Sequence, residues 1–179
     1  MNLRIIAGKF GGRIIKAPDG GLTHPMSERV RGSLFNIISS QIQGAEVLDV
    51  FAGSGSLGLE AISRGANSAI FVEIDRVASK ILAENIVTLD ISSLATIVQI
   101  GASTWISKNQ DKLFDLIFID PPYNDMQFSV VSRLGRLLKS TGQIILSHPD
   151  KAEVPLFDGV VMVDRRSYGT AALSFYRKK

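Results

Sequence analysis

From Ala45 onward, short runs of β-branched and aliphatic residues alternate with longer stretches in which apolar side chains recur every three or four positions. The runs EVLDVF, AIFVE, ATIVQI, DLIFID and GQIILS have the length and composition of buried strands, and helical candidates start near Ser56, Arg76, Thr104 and Asp125. In the second helical candidate, Val77, Ile81, Leu82, Ile86 and Leu89 form the expected apolar stripe. Alternation of this kind predicts parallel strands joined by crossover helices, hence a doubly wound α/β fold with helices on both faces of a mostly parallel sheet. After Ser147 the helical period fades. GVVMVD and AALSFYRK read as two final strands, joined through Arg165, Arg166, Tyr168 and Gly169.

Before Ala45 the pattern differs. LRIIAGKF and RIIKAP flank Gly11-Gly12 and predict a small β-hairpin that cannot fold alone. A helix follows, capped by Ser27 and carrying Val30, Leu34, Ile37 and Ile38 at helical spacing, with Gly44 as its stop. The expected organisation is a basic hairpin-and-helix extension over 1–43 and a catalytic α/β domain over 44–179.

Charge sharpens that division. The net charge is +3, yet residues 1–31 hold six basic side chains, Arg4, Lys9, Arg13, Lys16, Arg29 and Arg31, against Asp19 and Glu28. A cationic segment on a nearly neutral body suits a polyanion such as RNA, although an ordinary solvated basic surface reads the same way. At 179 residues and 45% hydrophobic content the chain fills one core of ordinary size. It has no cysteine, which excludes disulfides, thiolate metal sites and a cysteine nucleophile. With His24 and His148 as its two histidines, no metal is expected. No apolar run reaches the roughly 18 residues of a membrane span, and the start lacks a signal-peptide pattern, so a soluble, unprocessed, cytoplasmic protein is expected.

Two stretches carry candidate chemistry. EVLDVFAGSGSLGLEAISRG leads from a strand through Gly53, Gly55 and Gly58 into a helix, a geometry that turns backbone N–H groups toward a ligand. The same glycines satisfy the dinucleotide pattern G-x-G-x-x-G, which is weak by itself. Asp49, just before the loop, suits a cationic amino group such as the methionine end of S-adenosylmethionine. Glu73, closing the next strand, suits ribose hydroxyls. Both could instead cap the turns that follow them.

The second stretch, LFDLIFIDPPYND, ends a hydrophobic strand with Asp120-Pro121-Pro122-Tyr123 at the sheet edge where open α/β folds bind ligands. An aromatic amine is a poor nucleophile because its lone pair is delocalised. Asp120 and the Pro121 carbonyl can accept its N–H bonds, and a carboxylate stabilises the positive charge that develops on nitrogen. Tyr123 offers a stacking surface for an extruded base, an interaction of roughly 1–3 kcal/mol.

DVFAGSGSLGLEA together with DPPY resembles the class I amino-methyltransferases, and RIIAGKFGGR, SERVRGSLFNII and RRSYGTAALSFYRK narrow the resemblance to the RsmD-like family of 16S ribosomal RNA guanine-N2 methyltransferases. The likeness spans nearly the whole chain. It implies a Rossmann-like, seven-stranded class I methyltransferase fold and transfer of a methyl group to guanine 966 in the small ribosomal subunit. It implies S-adenosylmethionine contacts around Asp49, Phe51, Gly53, Gly55, Glu73, Ile74, Gly101, Ala102 and Asp120, and placement of the amine by Asp120, Pro121, Pro122 and Tyr123. RNA contact by the hairpin and by Arg29-Val30-Arg31 follows too, with 16S RNA or an assembling 30S particle as partner and a monomeric enzyme. The chain departs from the family pattern at His24-Pro25-Met26 in place of Arg-Pro-Thr, and at Gly101 in place of Asp or Asn, where Ala102 or a backbone N–H can substitute. A third departure replaces the common glutamate by Ser147 or His148, positions to which the sequence assigns no role. His148 reads as an ordinary loop residue, with a pH-sensitive or base-contacting group as the alternative, and Trp105 as sheet packing, with a place bordering the adenine near Gly101 as the alternative.

Three rival functions remain open on sequence. A DNA adenine-N6 methyltransferase would use the same DPPY geometry, but little chain is left for reading a DNA sequence. A nicotinamide oxidoreductase has no use for DPPY. An idle RNA-binding or assembly factor fits poorly with an intact Asp120 and glycine loop.

Overall fold

The computed structural model describes residues 1–18 and 26–179. His24 and Pro25, singled out above, lie outside them. Two short strands, β1 (Asn2–Arg4) and β2 (Ile14–Lys16), pair antiparallel as the expected hairpin. Helix α1 (Glu28–Ile37) follows, and the Ser27 side chain accepts from the Val30 N–H at 3.3 Å, as its position predicts. The helix ends before Gly44: a 3-10 turn over Ser39–Gln41 intervenes.

The main sheet holds seven strands in the order β5-β4-β3-β6-β7-β9-β8. These are β3 (Glu46–Val50), β4 (Ser68–Val72), β5 (Ala95–Val98), β6 (Phe114–Ile119), β7 (Leu138–Pro149), β8 (Val160–Tyr168) and β9 (Ala171–Lys178). The first five run parallel, and β9 is antiparallel to both β7 and β8. Helices α2 (Ser56–Ser63), α3 (Arg76–Leu89), α4 (Ala102–Lys108) and α5 (Phe128–Val131) connect the parallel strands. Two cores result, one per sheet face. Leu34, Phe35, Leu59, Phe71, Leu82, Leu116 and Phe118 belong to one, and Leu48, Trp105, Ile117, Leu134, Ile144 and Leu146 to the other. Because strand side chains alternate, each parallel strand feeds both cores, which is why these runs read as continuously apolar.

The structure shifts several expected details. The buried stripe of α1 is Arg31, Leu34, Phe35 and Ile38, so Ile37 faces outward; Phe35 packs against Phe118 with the rings tilted by 52° and centroids 5.5 Å apart. On α3, Val77 is exposed and Ala78, Ser79 and Asn85 take the inner face with Leu82, Ile86 and Leu89. Helix α4 starts at Ala102 rather than Thr104, and α5 is a single turn running into a 3-10 segment over Ser132–Leu137. Arg165 and Arg166 lie within β8, not in its connection to β9, which is the Gly169-Thr170 turn. His148 is no loop residue. It is buried within β7, its Nδ1 2.8 Å from the Pro149 carbonyl and its Nε2 2.8 Å from Ser174 Oγ. Trp105 packs beneath the sheet beside Phe114, as expected.

The hairpin is fastened to the sheet domain by buried polar groups. Glu60, fully buried on α2, accepts from the backbone N–H groups of Ile6 (2.7 Å) and Ala7 (3.1 Å) and from Arg64 Nε (2.7 Å). Ser63 Oγ accepts from Phe10 N–H at 3.0 Å. Asn85 on α3 grips Lys16 through both its N–H and its carbonyl, at 2.8 and 2.9 Å, and also donates to the Ser54 carbonyl at 3.1 Å. Ile5, Phe10 and Ile15 complete the same apolar core as α1 and α2.

Candidate active site

The candidate site gathers at the carboxyl ends of β3, β4 and β6, the three central neighbours on which the motifs fall. β3 ends in Val50, and Phe51 then turns the chain with φ 62°, a left-handed conformation that a bulky residue adopts only under constraint. Gly53 and Gly55 continue the turn at φ 54° and 81°. Gly58 is required for a different reason: a Cβ there would stand 2.3 Å from the Phe71 ring and 3.1 Å from Asp49 Oδ2. This close approach lets the Asp49 carboxylate accept from the Gly58 N–H at 2.9 Å, so Asp49 shapes the first turn of α2.

Glu73 closes the loop from the other side. Its Oε2 accepts from Gly53 N–H at 2.7 Å and its Oε1 from Asp75 N–H at 2.8 Å. Asp75 in turn caps α3 through Ala78 N–H at 2.8 Å. Beyond it Ile74 is exposed, and the backbone of Gly101 opens opposite: a Cβ on Gly101 would just touch the Ile74 side chain at 3.5 Å. Ala102, the next residue, is buried at the start of α4. Asp49, Phe51, Gly53 and Gly55 lie in or just after β3, Glu73 and Ile74 just after β4, and Gly101 and Ala102 just after β5, so these candidates fall at three neighbouring strand ends.

Asp120 follows the last residue of β6, with Pro121 buried, Pro122 half-buried and Tyr123 42% exposed. The turn is closed by Asp125 N–H donating to the Pro122 carbonyl at 2.9 Å. Ile119 pairs with Leu146, so Asp120 lies next to Ser147 on the neighbouring strand. The Tyr123 hydroxyl is 3.0 Å from Ser147 Oγ.

Electrostatically the site is a concentration of buried acid. Desolvation holds the Asp120 carboxyl up at about 6, against a partial offset by a hydrogen bond from Ser147. Burial also raises Asp49 well above the ordinary carboxylate range; the Gly58 N–H opposes the shift, and the charges of Asp120 and Glu73 add to it. The Tyr123 phenol is raised by burial too, with Ser147 acting against it. Three carboxylates thus meet where an incoming cation would relieve their repulsion.

The basic candidates separate. Arg4, Lys9, Arg13, Lys16 and Arg29 are exposed. Lys9 and Arg13 flank the Phe10 ring at 5.3 and 6.0 Å, and Lys16 pairs with Glu84 at 3.0 Å. Arg31 does not join them. It is 1% exposed on the inner stripe of α1 and donates to the Arg4 carbonyl, so an external phosphate cannot reach it; burial lowers its pKa against the raising effect of Glu60 and Glu28. Periodicity explains the correction, since positions 31, 34, 35 and 38 share one helix face.

Sequence reasoning missed Ser147 and Glu60. Glu60 had a signal: a carboxylate inside the apolar run SLGLEAIS needs buried partners. Ser147 was marked only as a departure from the family pattern, without a role, because its hydroxyl partner Tyr123 lies 24 residues away. Among the described residues no group of three or more His, Cys, Asp and Glu is arranged to hold a metal, and no helix is long and apolar enough to cross a membrane.

Residues 3–177 match the family model described as Conserved hypothetical protein 95. The chain belongs to this family. It is the RsmD family, as the resemblance implied. Bacillus subtilis YlbH is 33% identical over 183 residues, covering 99% of this chain and 100% of its own length. Ribosomal RNA small subunit methyltransferase D of Escherichia coli is 40% identical over 121 residues, 68% of this chain; the match spans 60% of the Escherichia coli protein's length. The solved structure of Escherichia coli yhhF superposes with a TM-score of 0.86 at 28% identity, covering 100% of this chain and 99% of the other. The seven-stranded, mostly parallel sheet is the class I methyltransferase fold.

Proposed function

We propose that this protein transfers a methyl group from S-adenosylmethionine to the exocyclic N2 amine of a guanine in small-subunit ribosomal RNA. The observation that carries the reading is Asp120: a partly buried carboxylate just after β6, next to the strand that leads into the glycine loop, and followed by Pro121, Pro122 and the exposed ring of Tyr123. Family membership and the name of the Escherichia coli relative support a ribosomal RNA substrate.

The cofactor fits the donor set. Asp49, Glu73 and Asp120 form an acidic cluster that favours a ligand bearing ammonium and sulfonium charge and disfavours a pyrophosphate. Gly53 and Gly55 would hold the amino acid end, Glu73 the ribose, and Ile74 with Gly101-Ala102 would border the adenine. When bound, the cofactor supplies an electrophilic methyl group.

The chain's own residues do the rest. Tyr123 stacks on the extruded base, and Asp120 with the Pro121 carbonyl accepts the two N–H bonds of the amine, drawing its lone pair out of the ring. As positive charge builds on nitrogen, the Asp120 carboxylate stabilises it; held at about 6, it is ionised at neutral pH and basic enough to take the proton released. Arg4, Lys9, Arg13 and Arg29 supply phosphate contacts.

The test is transfer of labelled methyl from S-adenosylmethionine to small-subunit particles and RNA from cells lacking this gene, followed by nucleoside analysis. Label in N2-methylguanosine is expected. Label in another nucleoside, or in none while the cofactor binds, would replace this reading by a different amine substrate or by a binding factor. Asp120→Ala is expected to lose about 10²–10³ in kcat at saturating S-adenosylmethionine.

A further inference from the structure

We infer that Asn85 is a positioning residue for the glycine loop, and that its one side-chain amide couples the docking of the hairpin to the binding of cofactor on that loop. The inference rests on the cofactor site and the RNA surface proposed above.

Asn85 is 2% exposed on the inner face of α3, three residues after Leu82. Its Oδ1 accepts from the Lys16 N–H at 2.8 Å, and its Nδ2 donates to the Lys16 carbonyl at 2.9 Å and to the Ser54 carbonyl at 3.1 Å. A backbone N–H can only donate, so the bond from Lys16 fixes which end of the amide is oxygen. Both protons on Nδ2 are then committed, one to each segment. Lys16 is the last residue of β2, and Ser54 stands between Gly53 and Gly55. The side chain thus gives the edge of the hairpin the bonds that another strand would give, and reaches the glycine loop with the same group.

The other anchors of the loop lie on either side of Ser54. Gly53 N–H donates to Glu73 Oε2 at 2.7 Å, and Gly55 sits on Leu82, where a Cβ would stand 2.3 Å from the leucine Cδ1. Ser54 is 6% exposed, so its carbonyl would be buried and unpaired without the Asn85 donor, which is costly. A cofactor that orders Gly53 and Gly55 therefore fixes the Ser54 carbonyl, the carbonyl fixes the plane of the Asn85 amide, and the amide fixes Lys16. The hairpin that carries Lys9 and Arg13 is ordered in the same step, with no change of shape required. Linkage makes the effect mutual: RNA engaging the hairpin raises cofactor affinity by the factor by which cofactor raises RNA affinity.

Two measurements on the intact protein test the link. S-adenosylhomocysteine, which has no methyl group to transfer, is titrated into wild type and Asn85→Ala by calorimetry, with and without a transcript of small-subunit ribosomal RNA. Wild type is expected to bind it about 3- to 10-fold more tightly with RNA present, whereas Asn85→Ala should bind it about tenfold more weakly than wild type and gain nothing from RNA. A wild-type ratio near one, or the same ratio in the variant, would overturn the inference; a variant that was merely less stable would keep the ratio. If Asn85→Ala does not fold, amide exchange in wild type decides. Saturating S-adenosylhomocysteine should slow exchange of the Lys16 N–H about threefold more than that of the Gly12 N–H, which bonds to the Ile5 carbonyl within the hairpin. Equal slowing at the two amides, as stabilisation of the whole molecule gives, would refute the link. Slowing as stated in a protein that binds no RNA would uphold the link and remove the RNA reading. A protein that does not bind S-adenosylhomocysteine would end the cofactor reading and this inference together.

Discussion

Asp49, Glu73 and Asp120 are acids set close together at the strand ends, and the carboxylates of Asp49 and Glu73 are spent on the chain's own backbone. The catalytic consequence is a working pH range. With Asp120 held at about 6, the acid limb of kcat/KM for methyl transfer should bend near pH 6, and the rate should fall tenfold per unit below it. The stability consequence has the opposite sign. A carboxyl raised by burial takes up its proton in the folded state at a pH where the unfolded chain would still be ionised. Stability from such a group is therefore gained as pH falls through the raised value and lost as pH rises through it. Asp49→Asn keeps the acceptor for Gly58 N–H and removes the buried charge. We expect its Tm to exceed that of wild type at pH 7.5, by more than at pH 5, while affinity for S-adenosylmethionine drops; thermal melts at the two pH values with calorimetric titration would check both.

At the scale of elements, the hairpin and α2 behave as one piece. Gly8 makes this possible: a Cβ there would stand 1.9 Å from the Ser63 carbonyl oxygen, inside any permitted contact. Gly8→Ala should accordingly push the hairpin off α2, exposing the loop around Phe10 to protease while the sheet stays folded, and limited proteolysis with mass mapping would reveal it. Glu60→Ala removes the acceptor for two backbone N–H groups and for Arg64, leaving buried donors unpaired. A loss of about 2–4 kcal/mol in urea unfolding is expected. Amphipathic spacing placed α1 and α3 correctly but misjudged their faces. The inner face of α1 carries Phe35 against Phe118, and that of α3 carries Asn85 bonded to Lys16 and Ser54, partners far along the chain.

For the whole molecule, the sheet order sets β3, β6 and β7 side by side, so that the glycine loop, Asp120 and Ser147 open on one edge. The exposed Lys9 and Arg13 stand on the docked hairpin, whose contacts to α2 and α3 hold it fixed relative to that edge. If they neutralise phosphates, the charge-reversed pair Lys9→Glu and Arg13→Glu should weaken RNA binding and flatten the slope of log K against log salt by about 1.5 to 2, leaving cofactor affinity as in wild type. Filter binding across a salt series reads this directly. The sequence alone determined the strand-and-helix alternation, the glycine loop and the Asp-Pro-Pro-Tyr turn, because these are written in local period and in residues whose backbone limits or short side chains act within a few positions. Only the tertiary structure decided that Arg31 is buried, that His148 belongs inside β7, that Glu60 and Asn85 clamp the hairpin, and that Ser147 meets Tyr123. Those outcomes depend on which strands become neighbours and which helix face turns inward, and such pairings are fixed by packing between segments distant in the chain.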